Sequence, residues 1–373
     1  MDGGGMKDDV GFNEVFFDCT KYGKKIPKEN YLVTGKYPIV DQGQTIIAGY
    51  TDDPEGIFND IPAIVFGDHT RVIKYVDKPF FLGADGVKLL KSNRSDVWYK
   101  YLFYALTAAH IPNTGYNRHF KWLKELIIPI PSLEKQQEIT TILDKVTELI
   151  AMRTQQLSEL NLMVKSRFIE MFGNPASNPM GWDKRPLAEY ITYANNGIAR
   201  RGNDKNGSIV LRLVELQSGF IDYSQPNRII LTVAEQSRYL LKHNDFLFAR
   251  VNGNPSYVGR SSVFHDIGVP VYHNDHIIRV HLSEADLNGV FVSNLLNSDY
   301  GIQEMKSKIK TSAGQYTISQ DGISAILVIS PPLPLQNEFA AFVQQVDKSK
   351  FEIQKGLKQM EIQYNALMQQ YFG

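Results

Sequence analysis

Few side chains can pair with the edge of a nucleic-acid base. Arginine forks onto guanine, the carboxamides of asparagine and glutamine match adenine, and lysine with small polar groups meets phosphate. In this chain such side chains gather in glycine-containing loops. Gln42 and Gln44 stand in Asp41-Gln42-Gly43-Gln44, after a strand-like run. His69 and Arg71 follow Gly67-Asp68, and Asn117, Arg118 and Lys121 follow Gly115. Further on, Asn196 leads through Gly197 to Arg200, Arg201 and Lys205. Arg250, Asn252 and Asn254 share a Gly/Pro loop with Arg260 behind it, and Lys308, Lys310, Gln315 and Tyr316 surround Gly314. The plain alternative for each is a solvated loop residue. The loops at 200–205 and 250–254 stand out because both join arginine to amides.

Catalytic chemistry is poorly served. Asn254-Pro255-Ser256-Tyr257 resembles the Asn-Pro-Pro-Tyr motif of amino-methyltransferases, but the second proline and a Gly-rich cofactor loop are missing. His273, Asp275 and His276 fall at a strand entry with no matching set of metal ligands. No Gly-x4-Gly-Lys phosphate loop and no Pro-Asp…Glu-x-Lys nuclease core occurs. Glu55, Asp60 and Asp68 read as turn and surface residues. The single cysteine, Cys19, excludes an internal disulfide and a Cys-rich zinc site, and reads as structural.

Composition narrows the class. The chain has 373 residues, enough for two or three domains at ~150 each. Lys plus Arg and Asp plus Glu are 40 each, so the net charge is zero, which argues against a basic coat but not against a local basic face. No stretch approaches the ~18 apolar residues of a membrane span. The start, Met1 to Gly5, lacks the basic and apolar parts of a signal peptide, so a cytoplasmic location is expected.

The elements that must carry these loops follow from an internal repeat. Residues 126–173 align without a gap on residues 326–373, with Pro131/Pro331, Leu133/Leu333, Gln136/Gln336, Glu138/Glu338, Val146/Val346, Leu157/Leu357, Phe172/Phe372 and Gly173/Gly373 identical. Each copy begins at a Pro-rich strand end, runs for about ten turns as a helix, and stops at Gly. The first seam reads Ile139, Leu143, Val146, Ile150, Arg153, Leu157, Leu160, Val164, Arg167, Met171. The second reads Phe339, Val343, Val346, Lys350, Ile353, Leu357, Met360, Tyr364, Leu367, Tyr371. Eight and nine of the ten positions are apolar, which describes a coiled-coil stripe better than two helices packed separately.

Chain order makes the two helices antiparallel if they share a seam, forming a spacer of ~60 Å with one globular part at each end. Arg153 would then face Lys350 as a polar layer, with Glu352 or a partner supplying a carboxylate. The expected division is 1–131 domain one, 132–173 first helix, 174–330 domain two, 331–373 second helix. Both globular parts read as β-rich. Strands are expected at 35–50, 61–68, 71–76 and 85–92 with a helix at 96–108, and at 208–216, 245–251 and 276–282 with a helix at 288–298. Asp85-Gly86-Val87 parallels Asp275-His276-Ile277, and Thr114-Gly115-Tyr116 parallels Ala313-Gly314-Gln315-Tyr316. The fold class is therefore α+β: two pseudo-symmetric β-rich domains separated by two long antiparallel helices.

These features bring a family into view. The duplicated junctions IIPIPSLEKQQEI (127–139) and VISPPLPLQNEF (328–339), each leading into a heptad helix that ends in Phe-Gly, carry the resemblance. Gly35–Pro38 with VDQGQ (40–44), the run Asn244–Gly253 and NDHIIRV (274–280) support it. Over essentially its full length the chain resembles the specificity subunit of type I restriction–modification systems. It departs at the first domain, whose lead-in is short and lacks a counterpart of Gly181-Trp182. The resemblance implies a non-catalytic reader of double-stranded DNA, with each target recognition domain reading one half of a bipartite, asymmetric site. It also implies helices that set the spacer and hold two methyltransferase subunits, joined by two restriction subunits. S-adenosylmethionine, ATP and Mg2+ would belong to those partners, with none bound by this chain. The alternative is a dumbbell-shaped scaffold that binds proteins without DNA specificity.

Overall fold

The computed structural model describes residues 8–83, 86–312 and 314–373. Met1–Gly5, Asp85 and Ala313, named above, lie outside the described residues. Domain one runs β1 (Asp8–Gly11), α1 (Phe12–Val15), β2 (Phe17–Asp18), β3 (Tyr37–Val40), β4 (Gly49–Thr51), β5 (Ala63–Gly67), β6 (Ile73–Val76), β7 (Phe81–Leu82), β8 (Val87–Lys91), α2 (Tyr99–Ala108), α3 (Phe120–Leu123) and β9 (Ile127–Ile130). The long helix α4 (Leu133–Phe172) follows. Domain two begins β10 (Lys184–Pro186), β11 (Ile191–Asn196), β12 (Ser208–Leu211), β13 (Arg228–Ile229), α5 (Val233–Tyr239), β14 (Asp245–Ala249), β15 (Val251–Asn252), β16 (Ser261–Val263) and β17 (Val271–His273). It continues β18 (Ile277–Leu282), α6 (Gly289–Leu296), α7 (Asp299–Ser307), β19 (Lys310–Ser312), β20 (Gln315–Thr317), α8 (Gln320–Ser324) and β21 (Leu327–Ile329). The second long helix is α9 (Leu333–Phe372).

The two domains repeat one topology. Domain one has a four-stranded sheet β2-β8-β5-β6 and a three-stranded sheet β4-β3-β7; domain two has β11-β18-β14-β16 and β13-β12-β17. In both three-stranded sheets one pair is antiparallel and the other parallel. The first strand of each domain pairs with the last, β1 with β9 and β10 with β21. Despite its short lead-in, domain one thus keeps its opening strand. The following residue closes it in the same way in both, Phe12 donating to Leu126 and Leu187 to Ile326.

Contacts divide the chain into two compact units: residues 1–154 with 355–373, and residues 155–354. Each unit holds part of both long helices. In the first, Ile139 and Leu143 of α4 share a core with Leu367, Met368 and Phe372 of α9 and with Tyr101 and Leu102 of α2. In the second, Phe168 and Phe172 of α4 lie 5.5 Å from Phe339 of α9, and Phe168 also stacks on Phe291 of α6 at 5.7 Å. The start of α4 thus meets the end of α9 and the reverse, which makes the helices antiparallel. Every seam position named above is buried or half-buried. Arg167 at the seam reaches Glu338 and Glu170, each at 3.0 Å, while Lys350 bonds Asp347 on its own helix at 3.1 Å rather than Glu352. Gly173 ends α4 in the left-handed region (φ +73°), where a side chain would be strained.

One side chain welds each domain to its helix. Gln136 and Gln336 are both 0% exposed. Gln136 accepts from the N–H of Trp98, the residue capping α2, at 2.7 Å, and donates to the carbonyls of Asp96 and Pro131 at 2.8 Å each. Gln336 accepts from the N–H of Asn288, which caps α6, at 2.8 Å, and donates to Pro331 at 2.7 Å and Asp286 at 3.3 Å.

Truncating such a buried amide orphans several backbone groups at once, at roughly 1–3 kcal/mol for each group left unsatisfied. Gln136→Ala and Gln336→Ala should each destabilise the chain by about 3 kcal/mol in chemical denaturation, whereas exposed Gln137→Ala should stay within about 0.5 kcal/mol. Equal, small effects from all three would show that the welds contribute little.

Candidate nucleic-acid interface

In both domains the strands deliver most of the candidate loops to one end of the sheets, and equivalent backbone bonds hold them there. Asp68 donates to Gly86 at 2.7 Å as Arg250 does to His276 at 2.8 Å. His119 donates to Asp68 at 2.8 Å as Ile318 does to Arg250 at 2.9 Å, and Gly83 to Val40 as Asn274 to Leu211. The parallel between the 85–87 and 275–277 turns is therefore real at Gly86 and His276.

In domain one these bonds gather Gln42, His69, Arg71 and Asn117. Thr70 Oγ1 donates to the Gln42 carbonyl at 2.6 Å, and Gln42 Oε1 accepts from the His69 N–H at 3.3 Å. The His69 ring stacks on Tyr116 at 4.8 Å with planes 8° apart, and Tyr116 is 88% exposed. Arg71 holds a left-handed backbone (φ +62°) and donates to the Ile111 carbonyl at 3.1 Å. For a non-glycine residue that conformation costs ~1–2 kcal/mol, a strain kept here at the tip of the β5–β6 turn. Asn117 donates to the Thr114 carbonyl. Gln44 and Arg118 are exposed on the same loops, and Lys121 lies over the ring of Trp122 at 4.9 Å on α3.

Two supports of this tip were not legible as such. Asp68, expected at the surface, is 4% exposed: its Oδ1 accepts from the Phe120 N–H at 2.8 Å, and its carbonyl takes the His119 ring Nδ1 at 3.0 Å. Lys74 is 4% exposed and donates to the Asp41 carbonyl at 2.7 Å, fixing the base of the 41–44 loop; burial lowers its pKa. The only signal for Lys74 was its place opposite Ile73 and Tyr75 in the alternation of β6, on the inward side with Val76.

In domain two Arg201 and Arg250 converge. Arg201 donates to Asp275 Oδ1 at 2.7 Å and lies 3.1 Å from His276 Nε2, and Arg250 reaches the Asp275 carbonyl at 3.2 Å. Asn196 accepts from Gln320 at 3.2 Å. Asn252 and Asn254 turn their amide oxygens onto the backbone N–H of Asn254 and Ser256, each at 2.9 Å, which stiffens the loop. Arg260 donates to Gln217 at 2.8 Å and lies 4.5 Å over the Tyr257 ring. Asn252, Tyr257, Arg260 and Gln217, with Leu213, Val214, Leu216 and Ala249, line a cavity of about 280 Å³. Asn252, Lys310, Gln315 and Tyr316 share the small sheet β15-β20-β19, and Lys308 caps the end of α7 just before it.

Two of the candidates stand apart. Arg200 forks onto Glu235 with two 2.9 Å bonds and also reaches the Ile230 carbonyl. That fork, with the N–H of Thr232, holds the Glu235 carboxyl down at about 2. Lys205 sits in the 204–207 turn, at the opposite end of β12 from this tip. Asn254 caps the short turn Pro255–Tyr257, so the methyltransferase-like tetrapeptide is a local bend. Among the described residues no three His, Cys, Asp or Glu side chains gather as a metal site, and no helix is long and apolar enough to cross a membrane. Cys19 is buried, donates to the Leu89 carbonyl, and burial pushes its thiol up to about 11.

With this geometry in place, the likenesses to known proteins can be read. Residues 12–162 and 179–363 match the family model described as the type I restriction modification DNA specificity domain. The specificity subunit of the type I restriction enzyme StySPI of Salmonella potsdam is 27% identical over 254 residues, covering 65% of this chain and 55% of the relative. That of EcoKI from Escherichia coli K12 is 24% identical over 257 residues, with the same shares. The chain thus spans about half the length of the curated relatives it matches. The crystal structure of the type I restriction–modification S subunit from M. genitalium has the same fold, with a TM-score of 0.64 at 16% identity over 100% of this chain and 98% of that one. A chain from a study of complex assembly and conformational transition of the type I R-M system gives 0.52 at 15% identity, over 98% and 97%.

His273 supplies a test of the domain-two scaffold. It is fully buried, with Nδ1 3.3 Å from the Ile277 carbonyl, and burial followed by the nearby Arg279 charge pushes its pKa down to about 3. The unfolded chain takes up a proton near pH 6.5 that the folded chain refuses. Stability is therefore full above that pH and falls on acidification, by up to ~1.4 kcal/mol per pH unit. Leu82 occupies the same position in domain one, beside Val40 as His273 lies beside Leu211. His273→Leu should flatten the loss of unfolding free energy between pH 6.5 and 5, leaving the smaller share of His265, whose pKa is also lowered, by desolvation and then by the neighbouring His243. An unchanged slope would mean that His273 is not held neutral.

Proposed function

The chain belongs to the type I restriction modification DNA specificity family, and from that premise we propose that it is the sequence-reading subunit of a type I restriction–modification complex. Each domain reads one half of a bipartite, asymmetric site in double-stranded DNA. The paired helices set the unread spacer and dock two methyltransferase subunits, which two restriction subunits join. The chain itself catalyses nothing; S-adenosylmethionine, ATP and Mg2+ act on the partners. One observation carries this reading: two domains of identical strand order hold chemically different sets of arginines and amides at equivalent strand ends. A shared scaffold with divergent tips suits two readers of different base sequences.

Charge shapes how it would bind. Phosphate neutralisation supplies much of the affinity for DNA. This chain is neutral overall, and Arg200 and Arg201 already carry carboxylate partners. Alone it should bind DNA weakly at physiological salt; tight binding should need the methyltransferase subunits closed around the duplex. Nanomolar, site-specific binding by the isolated chain would contradict this.

The decisive experiment co-expresses the chain with its methyltransferase subunit and maps methylated adenines by long-read sequencing. A split motif should appear, and exchanging residues 174–330 for those of a relative should rewrite one half only. A motif rewritten in both halves would end the idea of independent readers. Capture of proteins with no DNA preference would favour the scaffold reading.

A further inference from the structure

Each described strand of domain one has a counterpart in domain two, which adds β15, β19 and β20. Between the end of α2 at Ala108 and the start of α3 at Phe120, domain one has no strand among the described residues. The corresponding stretch of domain two, from Leu296 to Gln320, holds α7 and the ribbon β19–β20. The turn between β14 and β16 is also longer than that between β5 and β6, and contributes β15 to the same sheet.

We propose that this added sheet is the element with which domain two enters the major groove. On this reading Gln315 reads a base, Lys310 meets the phosphate backbone, and domain two covers the longer half of the split site. The inference rests on the DNA-reading function above and specifies it.

The major groove, ~12 Å wide, admits a two-stranded ribbon. Lys310 pairs with Thr317, Thr311 with Tyr316 and Ser312 with Gln315. Side chains alternate along a strand, so Lys310, Gln315 and Thr317 share one face, and Thr311, Tyr316 and, across the sheet, Asn252 share the other. Tyr316 is half-buried against the core of domain two, while Thr311 beside it on that face stays exposed. Lys310 and Gln315 are exposed on the outer face. The ribbon is anchored where it meets the tip: buried Ile318 donates to the Arg250 carbonyl at 2.9 Å, and Arg250 lies beside Arg201 and Asp275. An amide and a cation are thus presented on a firmly rooted ribbon next to two arginines. Domain one has the His69–Tyr116 stack and the Asn117-Arg118 loop at that place, and no ribbon among the described residues.

The test uses the chain in complex with its methyltransferase subunit, on a plasmid library of randomised sites read by long-read methylation. Gln315→Ala should lose at least tenfold preference at one base position in the half read by domain two and leave the other half unchanged. Lys310→Ala should lower methylation of all sites alike and reduce the salt slope of binding by about one. Exchange of residues 174–330 should alter the half with more specified positions. Both point changes are at exposed sites, and melting curves would verify that the fold is kept. The inference is overturned if Gln315→Ala leaves every preference intact, or if the half belonging to domain two is not the longer. A wild-type complex that yields no split motif would instead sink the proposed function.

Discussion

A carboxamide buried away from water must find partners for both its oxygen and its nitrogen, or cost the desolvation of each. Gln136 and Gln336 meet that demand in the same way. Each joins the N-terminus of a domain helix, the strand exit before the long helix, and the long helix itself. No apolar side chain could do so, because packing is tolerant of small rotations and a set of three hydrogen bonds is not. The position of each domain on its helix is set there, and the sheet edges inherit it. The two amides are also among the few identities that survive between copies whose globular parts have otherwise diverged.

Beyond that weld, scaffold and chemistry separate cleanly. The bonds that hold the tips are made by backbone, Asp68 with Gly86 and His119 in one domain, Arg250 with His276 and Ile318 in the other. Backbone bonds do not depend on side-chain identity, so an aspartate and an arginine can occupy one place in the scaffold. Leu82 and His273 share another, at the cost of a histidine kept neutral. Such a frame lets tip side chains change without disturbing the sheets.

Electrostatics is conservative throughout. Arg201 is matched by Asp275, Arg200 by Glu235 and Arg167 by Glu338 and Glu170. Exposed pairs of this kind add little stability, with a median of about 0–1 kcal/mol, but they fix where a guanidinium points. An arginine so held must exchange a carboxylate for any base or phosphate it contacts. That exchange favours the correct partner over a merely acidic one.

The repeat at an offset of 200, the heptad stripes and the long uninterrupted helices were legible from residues alone, because helical periodicity and the absence of proline are local properties. The strands at 63–67, 87–91, 245–249 and 277–282 were legible too, being apolar runs between turn residues. Short strands such as β7, β17 and β20 were not, since two or three residues carry no pattern and exist only through their neighbours. Of the loops named from sequence, most collect at a tip and the Lys205 turn does not, and sequence did not say how their members are used. Whether Arg200 is engaged by Glu235, whether Asp68 and Lys74 lie inside, and which face of β19–β20 looks outward depend on residues 30 to 70 positions away in the chain. Such pairings are decided by burial and long-range packing, which only the folded chain brings about.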